Sequence, residues 1–515
     1  MIPGISQTII RLKQSRSVWN LSASYFAFFS TSLWAVLSIP IAVKYLDSKE
    51  IGLWAVASAF TGYLGWMDFG ISHAIGRLIA PAVAEGDQDE INSWWTTANL
   101  ALYAQALLLL GFGSVLVPFF IDLVGIEENL RDAAYWLFYS GVFIAATNLP
   151  LRGVPSLMTA QERFHWVPLV QGLVPWVGLV VFYLFLKDGW GVKSYTFALI
   201  AGQVVSWICY SILVRTGPNQ PKWDRQGLNK QRFKRLFSFS GNLMVLGFID
   251  TVIATLPTML LARLGGLGMV PVYNFSSRGP MLASGLVSRT YQAFQPGWQR
   301  SFVAGNLEEF KRRHRTAGYL TLGSATCGAG ATLAFNPMLV EFLAGGSYFA
   351  GSLATAWFAA GIISLPMGSY YQSLLTLSGS LGKAALFFSA KLLLAFAAAL
   401  FAWFSFGMAG VAAVFALLPL VNGIYGYVAG TRRCGFKPNE VSPVVGLLTL
   451  LMILSTVVAG WVSDSLGDWT KSLWILGKEI HVPTMLGLAP SAFMIVLGMG
   501  IFLLGLTASR SKQAS

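Results

Sequence analysis

The amino-acid sequence predicts an all-α polytopic membrane protein of about fourteen transmembrane helices, and three observations carry that expectation. Of its 515 residues, 55% are hydrophobic and only 11% are charged, whereas a soluble domain carries about 25% charged residues because its surface faces water. Uncharged stretches repeatedly reach the roughly 20 residues that a helix needs to cross a hydrocarbon core. Lys and Arg also fall on alternate sides of these stretches, 23 in segments on one side and 8 on the other. Cytoplasmic loops hold such an excess, so both termini are expected inside.

The spans are justified in chain order by the polar breaks between them. Arg11, Lys13 and Arg16 precede an apolar run over 18–43. That run is too long for a signal-peptide core and lacks a small-residue cleavage site, so it reads as an uncleaved first span. Lys44 and Lys49 separate it from 51–80, and the acidic loop EGDQDEIN precedes 93–120. Arg131 marks the break before 133–160, Arg163 the break before 166–186, and Lys187 and Lys193 the break before 195–215. A basic stretch over 215–235 leads to 236–262, Arg263 to 269–296, and a second basic stretch over 299–316 to 317–343. The runs 350–377, 384–405 and 408–430 follow, the last two parted only near Gly407, Met408 and Gly410. Arg432, Arg433 and Lys437 precede 441–462. The longest outer loop, between Trp461 and Met485, carries Trp469, Trp474 and Ile475 beside Lys471 and Lys478, a pattern that suggests a helix lying at the interface. The run 486–508 ends at Arg510 and Lys512.

The expected organisation is a cytoplasmic N-terminus over 1–17, six spans over 18–215, a basic cytoplasmic linker over 216–235 and six further spans over 236–430. Two additional spans occupy 431–508, and a cytoplasmic tail 509–515. The halves echo each other: KYLDSKEIGLWAV (44–56) and ARLGGLGMVPVYNF (262–275) each end one helix, turn, and open the next with aromatics. Repeated halves around a central site are a common plan of secondary transporters.

Charge at membrane depth is costly, so a charged residue inside a span is a functional candidate. Four basic residues lie inside spans, Arg152, Arg278, Arg289 and Lys391, against two acids, Asp68 and Asp250. In the eighth span Asn274, Arg278, Gly285, Arg289 and Gln292 fall within about 60° of one another on a helical wheel, a polar stripe that cannot face lipid. Arg forks onto carboxylate and phosphate oxygens, so such a wall suits an anionic ligand. Snorkelling to the span ends or a structural ion pair is the alternative. In the fourth span Asn148, Arg152, Pro155 and Thr159 share a face. Pro155 is expected to bend the helix there, and Arg152 either lines a cavity or snorkels. In the second span Thr61, Gly65, Asp68 and Ser72 align. Asp68 suits ion coupling, because a desolvated carboxylate gains proton affinity; the alternative is a structural pair, for instance with an Arg of the other half. Asp250, one face-repeat before Pro257, has the same two readings. Lys391 either snorkels toward Lys383 or lines a cavity.

Other chemistries find little support. The net charge of +13 is explained by the inner loops and not by nucleic acid. Cys209, Cys327 and Cys434 are dispersed, and His73, His165, His314 and His481 do not cluster, so neither a disulfide framework nor a metal site is expected. No P-loop is present. Asp87-Gln88-Asp89 has the form of a glycosyltransferase acidic pair, but acids at that place also favour a helix start. A membrane glycosyltransferase, polymerase or ligase needs a sizeable outer loop, and the only long one offers Asp464, Asp468 and Glu479. No enzyme activity and no cofactor are expected.

The run from Trp19 to Arg77, with KYLDSKEIGLWAVASAF and GWMDFGIS, resembles the opening of Wzx-type polysaccharide flippases of the MOP superfamily, which also holds the MATE exporters and the lipid II flippase. LARLGGLGMVPVYNFSSRGP (261–280) resembles the matching hairpin of the second lobe. The resemblance implies two six-helix lobes plus two C-terminal helices, with a central cavity opening alternately to each side. It also implies a bacterial inner-membrane flippase for an undecaprenyl-pyrophosphate-linked oligosaccharide, coupled to an H+ or Na+ gradient, working beside polysaccharide polymerase and assembly proteins. Carried over by residue, Asp68 is the acid of the second span, and Arg278 and Arg289 are the basic positions of the eighth. A MATE-like multidrug or small-molecule antiporter is the alternative. The excess of buried bases over acids favours an anionic head group over a cationic drug.

Overall fold

A computed structural model describes residues 16–224, 228–377, 381–434, 443–465, 470–475, 478–483 and 485–510. Arg11, Lys13, Lys437, Asp468, Trp469 and Lys512 lie outside the described residues. The chain is helical nearly throughout: α1 Arg16–Tyr45, α2 Ser48–Leu64, α3 Ile71–Glu85, α4 Gln88–Val124, α5 Glu128–Asn148, α6 Gly153–Ala160, α7 Trp166–Lys187, α8 Ser194–Arg215, α9 Lys230–Gly265, α10 Met269–Val303, α11 Leu307–Leu343, α12 Ser352–Leu377, α13 Leu381–Arg433, α14 Pro443–Ser465 and α15 Met485–Arg510. Among the described residues each predicted apolar run falls mainly on helix, with 51–80 broken by a turn at 65–70. Among the described residues nine helical stretches are long and apolar enough to cross a membrane on length and composition alone. The runs that fall short are the polar or interrupted ones on α2–α3, α5–α6, α10 and α11, the same segments that hold most candidate residues.

Helix starts extend beyond the apolar runs because side chains cap them. Asp87 accepts from Glu90 N at 3.0 Å, Asn229 from Gln231 N at 2.6 Å, and Asn306 from Glu309 N at 3.1 Å. Asp87 therefore starts a helix. The second and fourth spans are each interrupted. Residues 65–70 form a turn between α2 and α3, with Phe69 at φ 50° and Gly70 at φ 73°. Leu149–Arg152 tightens into a 3-10 segment with Pro150 at its start. The fourth span thus yields one turn before the expected Pro155, which lies inside the first turn of α6, where its missing N–H costs least. Gly407, at φ 58° and ψ −141°, is the non-helical residue inside α13, so the two runs around it join through one glycine. The expected interfacial helix after Trp461 is corrected: β1 Thr470–Ile475 pairs antiparallel with β2 Lys478–Pro483, Thr470 opposite Pro483 and Ile475 opposite Lys478. Alternation in Glu479-Ile480-His481-Val482 fits a strand's period of two better than a helix's.

The chain forms two compact units, Met1–Val252 with Gly266–Gly268, and Ile253–Gly265 with Met269–Ser515, so α9 contributes to both. The first unit is centred on Ile71, Ile75, Trp94, Leu102, Leu151 and Met158. Gly172 on α7 lets the Phe26 ring of α1 approach; a Cβ there would meet it at 2.4 Å. The second unit is centred on Trp298, Phe310, Tyr370, Leu374 and Val445. Its helices close on small residues, as membrane helices do. A Cβ on Gly498 of α15 would lie 2.6 Å from Cys327 N of α11, and one on Gly426 of α13 would lie 2.6 Å from Gln372 Cα of α12.

Candidate functional site

The break in the second span brings its charged residue to a partner. The turn over 65–70 is too tight to continue the helical ladder, and its loose backbone groups need replacements. Asp68, only 3% exposed, supplies one: Oδ1 accepts the Gly70 N–H at 3.0 Å and Oδ2 accepts the Ser72 hydroxyl at 2.5 Å. Arg152, from the 3-10 segment of the fourth span, supplies the other by donating Nη1 to the Gly65 carbonyl. The same nitrogen lies 3.4 Å from Asp68 Oδ2. Ser156 Oγ on α6 donates to the Ser72 carbonyl, and Trp66 Nε1 donates to Thr251 Oγ1. Gly65 and Gly76 stand beside these contacts: a Cβ at Gly65 would lie 3.6 Å from Arg152 Nη2 and one at Gly76 3.6 Å from Ser156 Cβ, ordinary van der Waals distances. For Asp68 the alternative to ion coupling is a structural pair, for instance with an Arg of the other half. The structure pairs it with Arg152 of its own half, and Arg152 turns to that carboxylate rather than out along the helix.

Asn148 is half-buried one residue before the 3-10 segment, and Asp250 is exposed on α9. The α10 residues share a face but differ in setting: Asn274, Arg278 and Arg289 are half-buried and Gln292 is exposed. Asn274 Oδ1 accepts the Thr258 hydroxyl of α9 at 3.4 Å. Pro280 leaves the Ser276 carbonyl without its helical N–H, and buried Asn336 of α11 donates Nδ2 to it at 2.9 Å.

Lys391 is buried, at 3% exposure. Its Nζ donates to Asn422 Oδ1 at 2.8 Å and stands 5.1 Å from the Phe388 ring centre, while Asn422 Nδ2 lies 3.5 Å from Gln372 Oε1. Lys391 lies sixteen residues before Gly407 and Asn422 fifteen after it, so the hairpin at that glycine folds the two together. Asn422, Gln372, Asn336 and Ser156 are polar residues the sequence reading passed over. Each is a single amide or hydroxyl in an apolar run, and only its distant partner gives it meaning. Among the described residues no group of His, Cys, Asp and Glu is arranged to hold a metal ion.

Residues 18–297 match the family model described as "Polysaccharide biosynthesis protein". A Shigella flexneri protein named "Putative O-antigen transporter" is 25% identical over 268 residues, a match that covers 50% of this chain and 60% of the relative. The matched stretch therefore spans under two thirds of that relative's length. In fold, the chain is similar to the lipid II flippase MurJ in an inward closed conformation, with a TM-score of 0.67, 14% identity, and 97% of this chain and 99% of that one covered. It is similar also to an inward-facing multidrug resistance MATE transporter of the MOP superfamily (TM-score 0.66, 11% identity, 80% and 96% covered). A Vibrio cholerae MATE transporter in its bent form gives 0.56 at 16% identity, covering 83% and 100%. The two-unit helical fold is thus the fold of these membrane transporters, and the chain itself, matched over more than half its length, belongs to the polysaccharide biosynthesis protein family.

Proposed function

We propose that the chain is a flippase. It would carry an oligosaccharide linked to undecaprenyl pyrophosphate from the cytoplasmic to the periplasmic leaflet of a bacterial inner membrane, for O-antigen, capsule or exopolysaccharide synthesis. Carrying charged phosphates and sugars through hydrocarbon unaided is prohibitive, because unpaired charge in an apolar medium costs tens of kcal/mol by order-of-magnitude Born estimates. A polar path that meets the head group while the prenyl tail stays in lipid removes most of that barrier. The observation that carries the reading is the cationic stripe of α10, Arg278 and Arg289 eleven residues apart on one face, in a chain of a polysaccharide biosynthesis family. Asn274 and Gln292 flank it, and Arg152 and Asn148 form a second polar set in the first unit. Asp68 is the residue we assign to coupling with an H+ or Na+ gradient, with Asp250 as a second acid. Polymerase and assembly proteins would take up the product on the far side.

The experiment is Arg278→Ala with Arg289→Ala in the native host, reading surface polysaccharide by electrophoresis and protein level by immunoblot. Loss of polysaccharide at normal protein level is expected; normal polysaccharide overturns the assignment. Likeness to MATE transporters supports a second reading, a small-molecule antiporter. That reading requires a deletion strain to become sensitive to cationic dyes while its glycans stay intact.

A further inference from the structure

The stretch between α8 and α9 is fastened along the start of α4. Three α4 side chains, four residues apart, hold its backbone. Gln88 Nε2 donates to the Gln220 carbonyl at 3.1 Å, Asn92 Oδ1 accepts the Lys222 N–H at 2.8 Å, and Thr96 Oγ1 accepts the Asp224 N–H at 2.8 Å. Four helical residues rise about 6 Å and two extended residues about 6.6 Å, so the two periods stay in step. Ser93 Oγ adds a bond to Asp224 Oδ2 at 2.7 Å. Past the strap, Arg232 pairs with Glu90 at 2.5 Å and lies over the Trp94 ring.

This register leaves Trp223 standing clear, 58% exposed, its ring centre 6.3 Å from that of Tyr103, itself 43% exposed. At 100° per residue, Gln88, Asn92, Thr96, Leu100, Tyr103 and Leu107 share one face of α4, spread over about 120°. Along that face the side chains change from amides and a hydroxyl to Leu100, 42% exposed, and Leu107, 71% exposed. The change from polar to exposed apolar marks where hydrocarbon begins on this helix, and Trp223 and Tyr103 stand at that level. Indole and phenol, with an apolar body and one polar atom, favour that boundary.

We propose that residues 220–224 form a strap that seats Trp223 in the phospholipid interface beside α4, giving the first unit a lipid contact made by the segment between α8 and α9. The strap's hydrogen bonds set the position, and the bilayer is the partner.

The test places a bimane probe at Trp223→Cys, in the full chain with Cys209, Cys327 and Cys434 replaced by Ala, reconstituted into phosphatidylcholine vesicles carrying doxyl-labelled lipid. A Tyr103→Cys probe is the lipid-contact reference and reports that each variant is folded. Quenching at position 223 is expected to match that reference, with aqueous iodide ineffective. Asn92→Ala with Thr96→Val removes two of the three side chains that hold the strap backbone, and with them three of its four hydrogen bonds, and lowers the ratio of docked to free strap about tenfold or more. It should make the 223 probe accessible to iodide while leaving the Tyr103→Cys probe quenched by lipid. Iodide quenching at 223 in the parent, or lipid quenching unchanged when the attachments are removed, overturns the proposal.

Discussion

Replacing Arg152 by Gln tests what holds the interrupted second span together. Removing one partner of a fully buried ion pair costs about 3–5 kcal/mol, since the other charge is left uncompensated. Two features of this site lower that figure. The Arg152 side chain is 30% exposed, so the pair is only partly desolvated. Asp68 also keeps the Gly70 N–H and the Ser72 hydroxyl. One charge-assisted hydrogen bond lost and partly replaced leaves about 2 kcal/mol. For a unit of this size each kcal/mol moves the melting temperature by about 2–4 °C, so Arg152→Gln should melt about 4–8 °C lower. Asp68→Asn retains a polar group at the turn and leaves Arg152 its bond to Gly65, so its own penalty is nearer 1 kcal/mol. If the two act as a pair, the double variant melts no lower than Arg152→Gln alone, a coupling of about 1 kcal/mol. The assay is thermal loss of the monodisperse peak in detergent for parent, singles and double. Strictly additive losses, or an Arg152→Gln protein that melts with the parent, refute the reasoning.

Asn422→Leu removes the oxygen that accepts buried Lys391 and should cost about 1.5–3 kcal/mol, whereas Lys391→Met with Asn422→Leu should recover most of the loss, because an apolar pair of similar volume replaces a buried charge without penalty; the same melting assay reads both. In the first turns of α11, Arg312 and Arg313 hold the Glu309 carboxyl down at about 2. A depressed carboxylate lends stability above its unfolded value of about 4.5 and loses it as pH falls toward the folded value. Glu309→Gln should therefore lower the melting temperature modestly at neutral pH, discounted because the partner arginines are partly solvated, and flatten its decline as pH falls from about 5 toward 2, so that variant and parent converge in acid.

Much of the fold was legible in the sequence, because burial in lipid leaves long apolar runs and inner loops collect Lys and Arg. Less of the local geometry was. The run 51–80 is apolar across the turn at 65–70, and Phe69 at φ 50° gives no warning, since a bulky residue rarely adopts that conformation. Gly65, Asp68 and Gly70 are the residues there whose types suit a turn. Trp and Lys beyond Trp461 suggest an amphipathic interfacial helix, and only the alternation in β2 points to strands instead. At the candidate site, single residues were legible and pairings were not. Asp68 and Arg152 were singled out separately, but 84 positions part them, and no periodicity links residues on different helices. For Lys391 the sequence leaves snorkelling and cavity lining open, because its partner Asn422 lies across the Gly407 turn, a contact set by the hairpin and not by either helix alone.

The pairing of Asp68 with Arg152 changes what a charge at membrane depth implies. A broken helix in hydrocarbon strands a donor on one side of the break and an acceptor on the other, and neither finds water. Asp68 takes the Gly70 N–H and Arg152 takes the Gly65 carbonyl, so each charged group stands in for a missing rung of the helical ladder while the two neutralise each other. Structure alone would justify both residues. Coupling asks for more: the carboxylate must lose Arg152 when it takes up its ion, and the Gly65 carbonyl must then lose its donor or gain another. Loading the acid and re-forming the backbone turn are therefore one event, since the same guanidinium serves both. An Asp68→Asn protein, which mimics the protonated acid, separates the two accounts. If the pair is only a strut, transport survives with a small loss of stability. If Asp68 couples, transport stops while the protein stays folded, locked at one end of a cycle that needs the charge to return.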